Sequence, residues 1–186
     1  EIELEEMCYR DANFYEKNDS QPLLGTKVIK IDFKDRKAEM VDGGIEYKKL
    51  LLATGAVPFI PQVGLDQRPN GVFTFSSLDD AIKIKKKIES VGKAVVLGGG
   101  LTGLMAAEAL TKNGVEVTVV ELAESLLPGV LDETASCLVE EHLNEKIEIL
   151  TRHRIVEVVG DIDSVTLDDG MELPCDLLII AAGVRP

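Results

Sequence analysis

The sequence predicts an α/β protein built on a parallel sheet with an attached β-meander, present once in full and once in part. Three observations carry this. From Lys93 onward, apolar strand patterns alternate with helical ones, which implies parallel strands joined by crossovers. A glycine-rich GGGLTG at residues 98–103 sits between a strand pattern and a helical one. Two distant stretches also repeat each other, DGGIEYKKLLLATGAVP at 42–58 and DGMELPCDLLIIAAGVRP at 169–186. Setting Gly55 on Gly183 places Thr54 on Ala182, Pro58 on Pro186 and Leu50–Leu52 on Leu178–Ile180. Self-similarity at this spacing points to two domains of one ancestry.

Taken in order, the acidic start reads as a helix ending near Asn18. Strand candidates follow at 27–33, 37–41 and 50–53, a small meander leading into an apolar strand. After a loop bounded by Pro58 and Pro69, Ser77 and Asp80 have the spacing of a capping box. Ala81, Ile84, Ile88 and Val91 recur at helical spacing, giving a connecting helix over 76–91 whose KIKKK run is its solvated face. AVVLGGG is a continuous apolar run, as expected of a strand covered on both faces. A helix over 101–112 ends at Asn113-Gly114, and the strand VEVTVVE follows. A helix near 132–146 sets Ala135, Leu138, Val139 and Leu143 on one face. A short strand at 147–150, the alternating RIVEVVG and SVTLDDG, and the apolar DLLIIAAG complete the pattern.

Composition narrows the function classes. The 186 residues are 45% hydrophobic, enough for a sizeable core, and 33 acidic against 20 basic residues leave a net charge of −13. That average field repels nucleic acid and anionic lipid. The longest uncharged stretch, 50–65, is interrupted by Pro58 and Pro61 and is shorter than the roughly 20 residues of a spanning helix, so no membrane segment is expected. The start EIELEE has no methionine and is the opposite of a secretory leader, so the chain is expected to be cut from a longer one. Cys8, Cys137 and Cys175 form no CxxC pair, which suits a reducing, cytoplasmic setting with packing or surface roles for the thiols. His142 and His153 have no second ligand at helical spacing, and both read as structural, with no metal site.

The chemistry resides in GGGLTG. Gly98, Gly100 and Gly103 form a G-x-G-x-x-G, and Glu121 ends the next strand 121 − 100 = 21 residues beyond the middle glycine. In this strand–turn–helix context the pattern is a Rossmann-like dinucleotide fingerprint. Gly98 permits the tight turn, Gly100 removes the side chain that would hold the backbone away from a pyrophosphate, and Gly103 lets helix and strand pack closely. Free N–H groups and the positive end of the helix dipole suit the diphosphate. Glu121 can accept from both ribose hydroxyls, and the following LAES has no cation to pair with a 2′-phosphate, so NADH is expected over NADPH.

These motifs resemble the pyridine nucleotide-disulphide oxidoreductase family, which carries an FAD domain, an inserted NAD(P) domain and an interface domain. LLLATGAVPFIP looks like the family's first ATG segment, VVLGGGLTG with VTVVE like its nicotinamide-nucleotide fingerprint, and LLIIAAGVRP like its second ATG-type segment. LLPGVLDETAS is similar to the segment after the ribose carboxylate. The wording is nearest to the branch of NADH oxidases, rubredoxin and ferredoxin reductases and nitrite reductase large subunits.

The resemblance implies a two-dinucleotide FAD/NAD(P)-binding fold divided here as a partial FAD domain over 1–75, the connecting helix at 76–91 and an NAD(H) domain over 92–186. Its nucleotide loop would comprise Gly98, Gly99, Gly100, Leu101, Thr102 and Gly103, with Glu121 on the ribose and Ala182 and Gly183 from the second ATG-type segment. Val28, Thr54 and Gly55 fall where the family contacts FAD. The activity implied for the parent is hydride transfer from NADH to flavin and onward passage of electrons to a small molecule or a redox protein or domain. The fragment by itself is expected to be inactive, and no residue in it is assigned a catalytic role. A homodimer of the parent stays open, as does a non-catalytic nucleotide-sensing or subunit-docking module. The last rests on Met105, which stands where much of the branch has a glutamate, Glu108 being the nearest acid on the same helix.

Overall fold

A computed structural model describes residue 8, residues 10–11, 13–64 and 69–186. The chain divides into two compact units between Ala53 and Thr54.

In the first unit, the expected helix appears among the described residues as one turn, α1 (Phe14–Lys17), with the Arg10 guanidinium 5.0 Å from the Phe14 ring. Cys8, Arg10, Asp11 and Asn13 are not helical, so the helix is shorter than expected; residues 1–7, 9 and 12 of the expected stretch lie outside those described. β1 (Val28–Asp32), β2 (Lys37–Met40) and β3 (Gly43–Glu46) pair antiparallel in that order. The third strand of the meander therefore begins at Gly43, directly after Asp42 and earlier than the expected one at 50–53. Residues 50–53 form no strand, and Leu51 is 89% exposed. Backbone N–H and C=O groups become a strand only against a neighbouring ladder, and no described segment offers one to this stretch.

In the second unit, β4 (Val57–Pro58), β5 (Val72–Thr74) and α2 (Leu78–Lys87) precede β6 (Lys93–Leu97), α3 (Leu101–Lys112) and β7 (Glu116–Glu121). There follow α4 (Glu133–Leu143), β8 (Glu148–Thr151), β9 (Ile155–Val159), β10 (Ser164–Leu167), β11 (Glu172–Pro174), β12 (Leu177–Ile180) and β13 (Val184–Arg185). Five strands form an all-parallel sheet in the order β5-β12-β6-β7-β8. Helices and the antiparallel meander of the same unit cover its two faces. Ala94 and Val96 join Leu104, Ala107 and Leu110 of α3 and Ile84 of α2 in one core. Val95 and Leu97 point the other way, into a core closed by Ile155, Val165 and Leu167 of the antiparallel β9-β10-β11 meander. Double coverage explains why β12 and, after Lys93, β6 are apolar at every position instead of alternating.

The repeated segments meet physically. β4 pairs antiparallel with β13, Val57 opposite Arg185 and Pro58 opposite Val184, and the Phe59 N–H donates to the Gly183 carbonyl at 2.9 Å. Arg185 lies 4.0 Å over the Phe59 ring, a cation–π contact that holds the ribbon shut.

Two carboxylates fix entries into this framework. The Asp80 carboxylate accepts the Ser76 and Ser77 N–H groups and the Thr74 and Ser76 hydroxyls, while the Asp80 N–H donates to Ser77 Oγ, completing the expected capping box. Asp176 accepts the N–H groups of Gly92 and Lys93, both at 2.9 Å, at the start of β6. Burial by itself would raise the Asp80 carboxyl, but the Ser76 N–H and the surrounding hydroxyls outweigh it and hold the group below the usual carboxylate range. A depressed folded-state value stabilises the fold above about pH 4 and loses that stabilisation as pH falls through it. Asp80→Asn is expected to cost about 1 kcal/mol near neutrality. In thermal unfolding from pH 7 downward, the gap between variant and parent should narrow as the carboxylate protonates. A gap independent of pH would assign the effect to shape alone.

The thiols separate by environment. Cys8 and Cys137 are exposed, whereas Cys175 is buried, and burial with the neighbouring Asp176 charge pushes its thiol up to about 12. Thiolate is the reactive form, so a disulfide reagent should titrate two thiols in the folded chain and three in denaturant.

Candidate functional site

The glycine loop is shaped by what a Cβ would strike. Gly98 has φ +117, and a side chain there would come within 2.5 Å of the Ala181 carbonyl oxygen. A Cβ on Gly103 would overlap the Gly98 carbonyl oxygen, so the first turn of α3 rests directly on the turn that ends β6. Gly100 is the opposite case. It caps α3, nothing lies within 4 Å of where its Cβ would be, and it has no side chain to accept the first-turn N–H groups. The positive end of the helix thus opens onto free space.

Glu121 closes one wall of that space and is already tied down. One carboxylate oxygen accepts the Gly99 N–H at 2.5 Å and the other the Ala123 N–H at 2.7 Å. Charge-assisted bonds of this kind orient the group while leaving each oxygen further acceptor capacity. The stretch after Glu121 is anchored on both sides. Leu127 donates its N–H to the Gly99 carbonyl, Arg152 to Ala123 and His153 to Glu121, at 2.9, 2.9 and 3.1 Å. Buried Leu126 packs beneath Gly99.

These pieces enclose a cleft of about 510 Å³ at the carboxyl ends of β6, β7 and β12. That size suits a small-molecule ligand, and the carboxyl edge is where open α/β sheets place one. Of the residues expected from sequence, Gly98, Gly100, Leu101, Thr102, Glu121, Ala182 and Gly183 line it. Gly99 is buried behind the loop with its N–H on Glu121, and Gly103 is buried under it. Thr54 and Gly55 are exposed and do not line the cleft; Val28 lies on β1 of the first unit, half exposed.

Several lining residues were not anticipated: Phe59 and Pro61, Leu127 and Val130, and His153 with Arg154. They come from three loops far apart in sequence, and no periodicity marks them. His153, read as structural, does have a structural bond from Nδ1 to the Thr151 carbonyl at 2.6 Å, and its Nε2 sits 3.4 Å from the Asp169 carboxylate. It also forms part of the cleft wall. Glu108 is paired with Lys112 at 2.8 Å and lines a separate, smaller cleft with His142, so it does not substitute for an acid at position 105. Met105 is 58% exposed, so it fills no core among the described residues.

Comparison with known proteins places the chain in a family. The family described as pyridine nucleotide-disulphide oxidoreductase matches residues 6–186. The epsilon subunit of an NADH-dependent phenylglyoxylate dehydrogenase from Aromatoleum evansii is 39% identical over 98% of this chain and 44% of its own length. An NADH oxidase from Methanocaldococcus jannaschii is 37% identical over 88% of this chain and 38% of its own. Among solved structures, a ferredoxin reductase from Rhodopseudomonas palustris superposes with a TM-score of 0.88 at 30% identity, over 96% of this chain and 45% of that one. The chain spans less than half the length of these relatives. The match along nearly all of its own length shows that it belongs to the pyridine nucleotide-disulphide oxidoreductase family.

Proposed function

We propose that this chain is the NAD(H)-binding part of an FAD-dependent NADH oxidoreductase. The observation that carries it is the cleft in which the uncapped start of α3 and the fixed Glu121 carboxylate face the same space. The residues present fit a nicotinamide dinucleotide. Gly100 leaves room for a diphosphate at the helix N-terminus, and Glu121 keeps acceptor capacity for ribose hydroxyls. When bound, NADH supplies a hydride for a flavin and, through it, electrons for an acceptor, either a small molecule or a redox protein. The chain's own contribution is to hold and orient the nucleotide. For FAD the fit is incomplete. Val28, Thr54 and Gly55 are three scattered positions, and the described residues hold one glycine cradle, which the nucleotide reading already uses. No step through flavin follows from them. On this reading residues 1–75 are a partial FAD domain, 76–91 a connecting helix and 92–186 the NAD(H) domain. No helix among the described residues is long and apolar enough to cross a membrane.

A second reading, a nucleotide-sensing or subunit-docking module without turnover, draws on Met105, an exposed uncharged residue on α3 outside the cleft lining. NADH oxidation by the full-length protein separates the two. Met105→Glu in that protein tests the position: a changed rate of flavin reduction by NADH with unaltered nucleotide affinity gives it an active-site role, and an unchanged rate counts against one.

The specificity of the cleft tests the first reading. A 2′-phosphate brought about 4 Å from Glu121 at an effective dielectric of about 20 is repelled by about 4 kcal/mol. Solvent at this half-exposed rim reduces the effect, so NADH should bind roughly 10- to 1,000-fold more tightly than NADPH. Glu121→Ala should weaken NADH binding and remove most of the discrimination. Calorimetry giving equal affinities in the unmodified chain would mean that Glu121 does not read the ribose.

A further inference from the structure

The chain is strongly acidic, yet the ligand proposed for its cleft is an anion. Among its lining residues Arg154 is the sole lysine or arginine. It stands on the exposed approach to β9, between half-buried His153 and buried Ile155. Its backbone is clamped from both directions, its N–H donating to Asp168 Oδ1 at 3.1 Å and its carbonyl accepting the Asp168 N–H at 2.9 Å. The turn that delivers it is locked to the Glu121 strand end through the Arg152 and His153 N–H groups. The neighbouring cations are already committed, Arg152 to Glu124 at 3.5 Å and Arg185 to the face of Phe59. The Arg154 guanidinium makes no ion pair among the described residues, although Glu121 also lines the cleft and Asp168 and Asp169 lie close in the chain to its clamp. An uncommitted guanidinium carried into a cleft by a clamped backbone suits a phosphate, since its planar fork of donors matches phosphate oxygens.

We propose that Arg154 is the phosphate-binding cation of this cleft, taking a phosphate group of the dinucleotide together with the first-turn N–H groups of α3. The assignment rests on the nucleotide reading above and goes beyond it in naming a specificity-determining residue outside the glycine fingerprint and its ribose carboxylate. Two phosphates have this chemistry, the diphosphate common to NADH and NADPH and the 2′-phosphate of NADPH.

Calorimetry on the unmodified chain, Arg154→Ala and Arg154→Lys, each against inorganic pyrophosphate, NADH, NADPH and adenosine, resolves it. For Arg154→Ala the expected result is about a tenfold loss for pyrophosphate and both dinucleotides, the scale of one charge-assisted bond, with adenosine unchanged and partial recovery in Arg154→Lys. Loss confined to NADPH assigns the guanidinium to the 2′-phosphate, away from the start of α3, and overturns the proposal. An equal loss for adenosine, or no loss for any ligand, overturns it. If pyrophosphate binding depends on Arg154 but NADH does not bind the unmodified chain, the nucleotide reading fails and the phosphate assignment stands. If NADH binds and Arg154→Ala changes nothing, the reverse holds. If neither ligand binds the unmodified chain, both fail.

Discussion

The missing Cβ at Gly103 is the constraint on which the site depends. With any side chain there, the Gly98 carbonyl would have to retreat, and α3 would lift from the end of β6. The contact does more than pack a helix. It brings the uncapped N–H groups of α3 to the carboxyl edge of the sheet, where β6, β7 and β12 end together. It also leaves Gly98 in a left-handed backbone held between Val120 and Ala181, so the loop cannot relax without breaking register on both neighbouring strands.

Glu121 extends this constraint to the rest of the cleft. Reading ribose is the role that sequence assigns to such a residue, but its carboxylate also staples Gly99 to Ala123. Through Leu127 on one side and His153 on the other, the glycine loop, the segment after β7 and the turn after β8 share one hydrogen-bonded frame. Bonds from N–H groups to a charged acceptor stabilise by roughly 1.5–3 kcal/mol each, so the frame is preformed and a ligand need not order it. A substitution at Glu121 therefore has two consequences, a lost ligand contact and a loosened loop, and the ratio of effects on two nucleotides isolates the first from the second.

Local rules made much of this legible in sequence. The fingerprint, the capping box of Ser77 and Asp80, the doubly covered β6 and the helix closed at Asn113-Gly114 all depend on residues within one or two turns of each other. Where sequence failed, the determinant was tertiary. Leu50–Leu52 has the composition of a buried strand and is exposed, because β-structure depends on a partner that no local pattern can supply. The third meander strand was missed because GGIE pairs through its backbone and buries no side chain. The β4–β13 ribbon was foreshadowed by the repeat, yet nothing in the alignment of the two segments required them to touch. His153 and Arg154 carry no motif, and only the zipping of the β8 turn to Glu121 brings them to the cleft.

The charge of the chain brings out the same distinction between average and local. A net −13 argues against polyanions as partners because many phosphates would meet the mean field at once. A dinucleotide presents its phosphates at one point, and there the relevant charges are those within about a Debye length of 8–10 Å. At that point the chain offers helix N–H groups with no side-chain cap, glycine backbone that permits close approach, and one guanidinium. The single fixed carboxylate at the cleft is placed for hydroxyls. An acidic protein can therefore be selective for a small anion. On the proposed reading, its surface repels extended polyanions while the donors of the cleft take a phosphate whose neighbouring group is a diol.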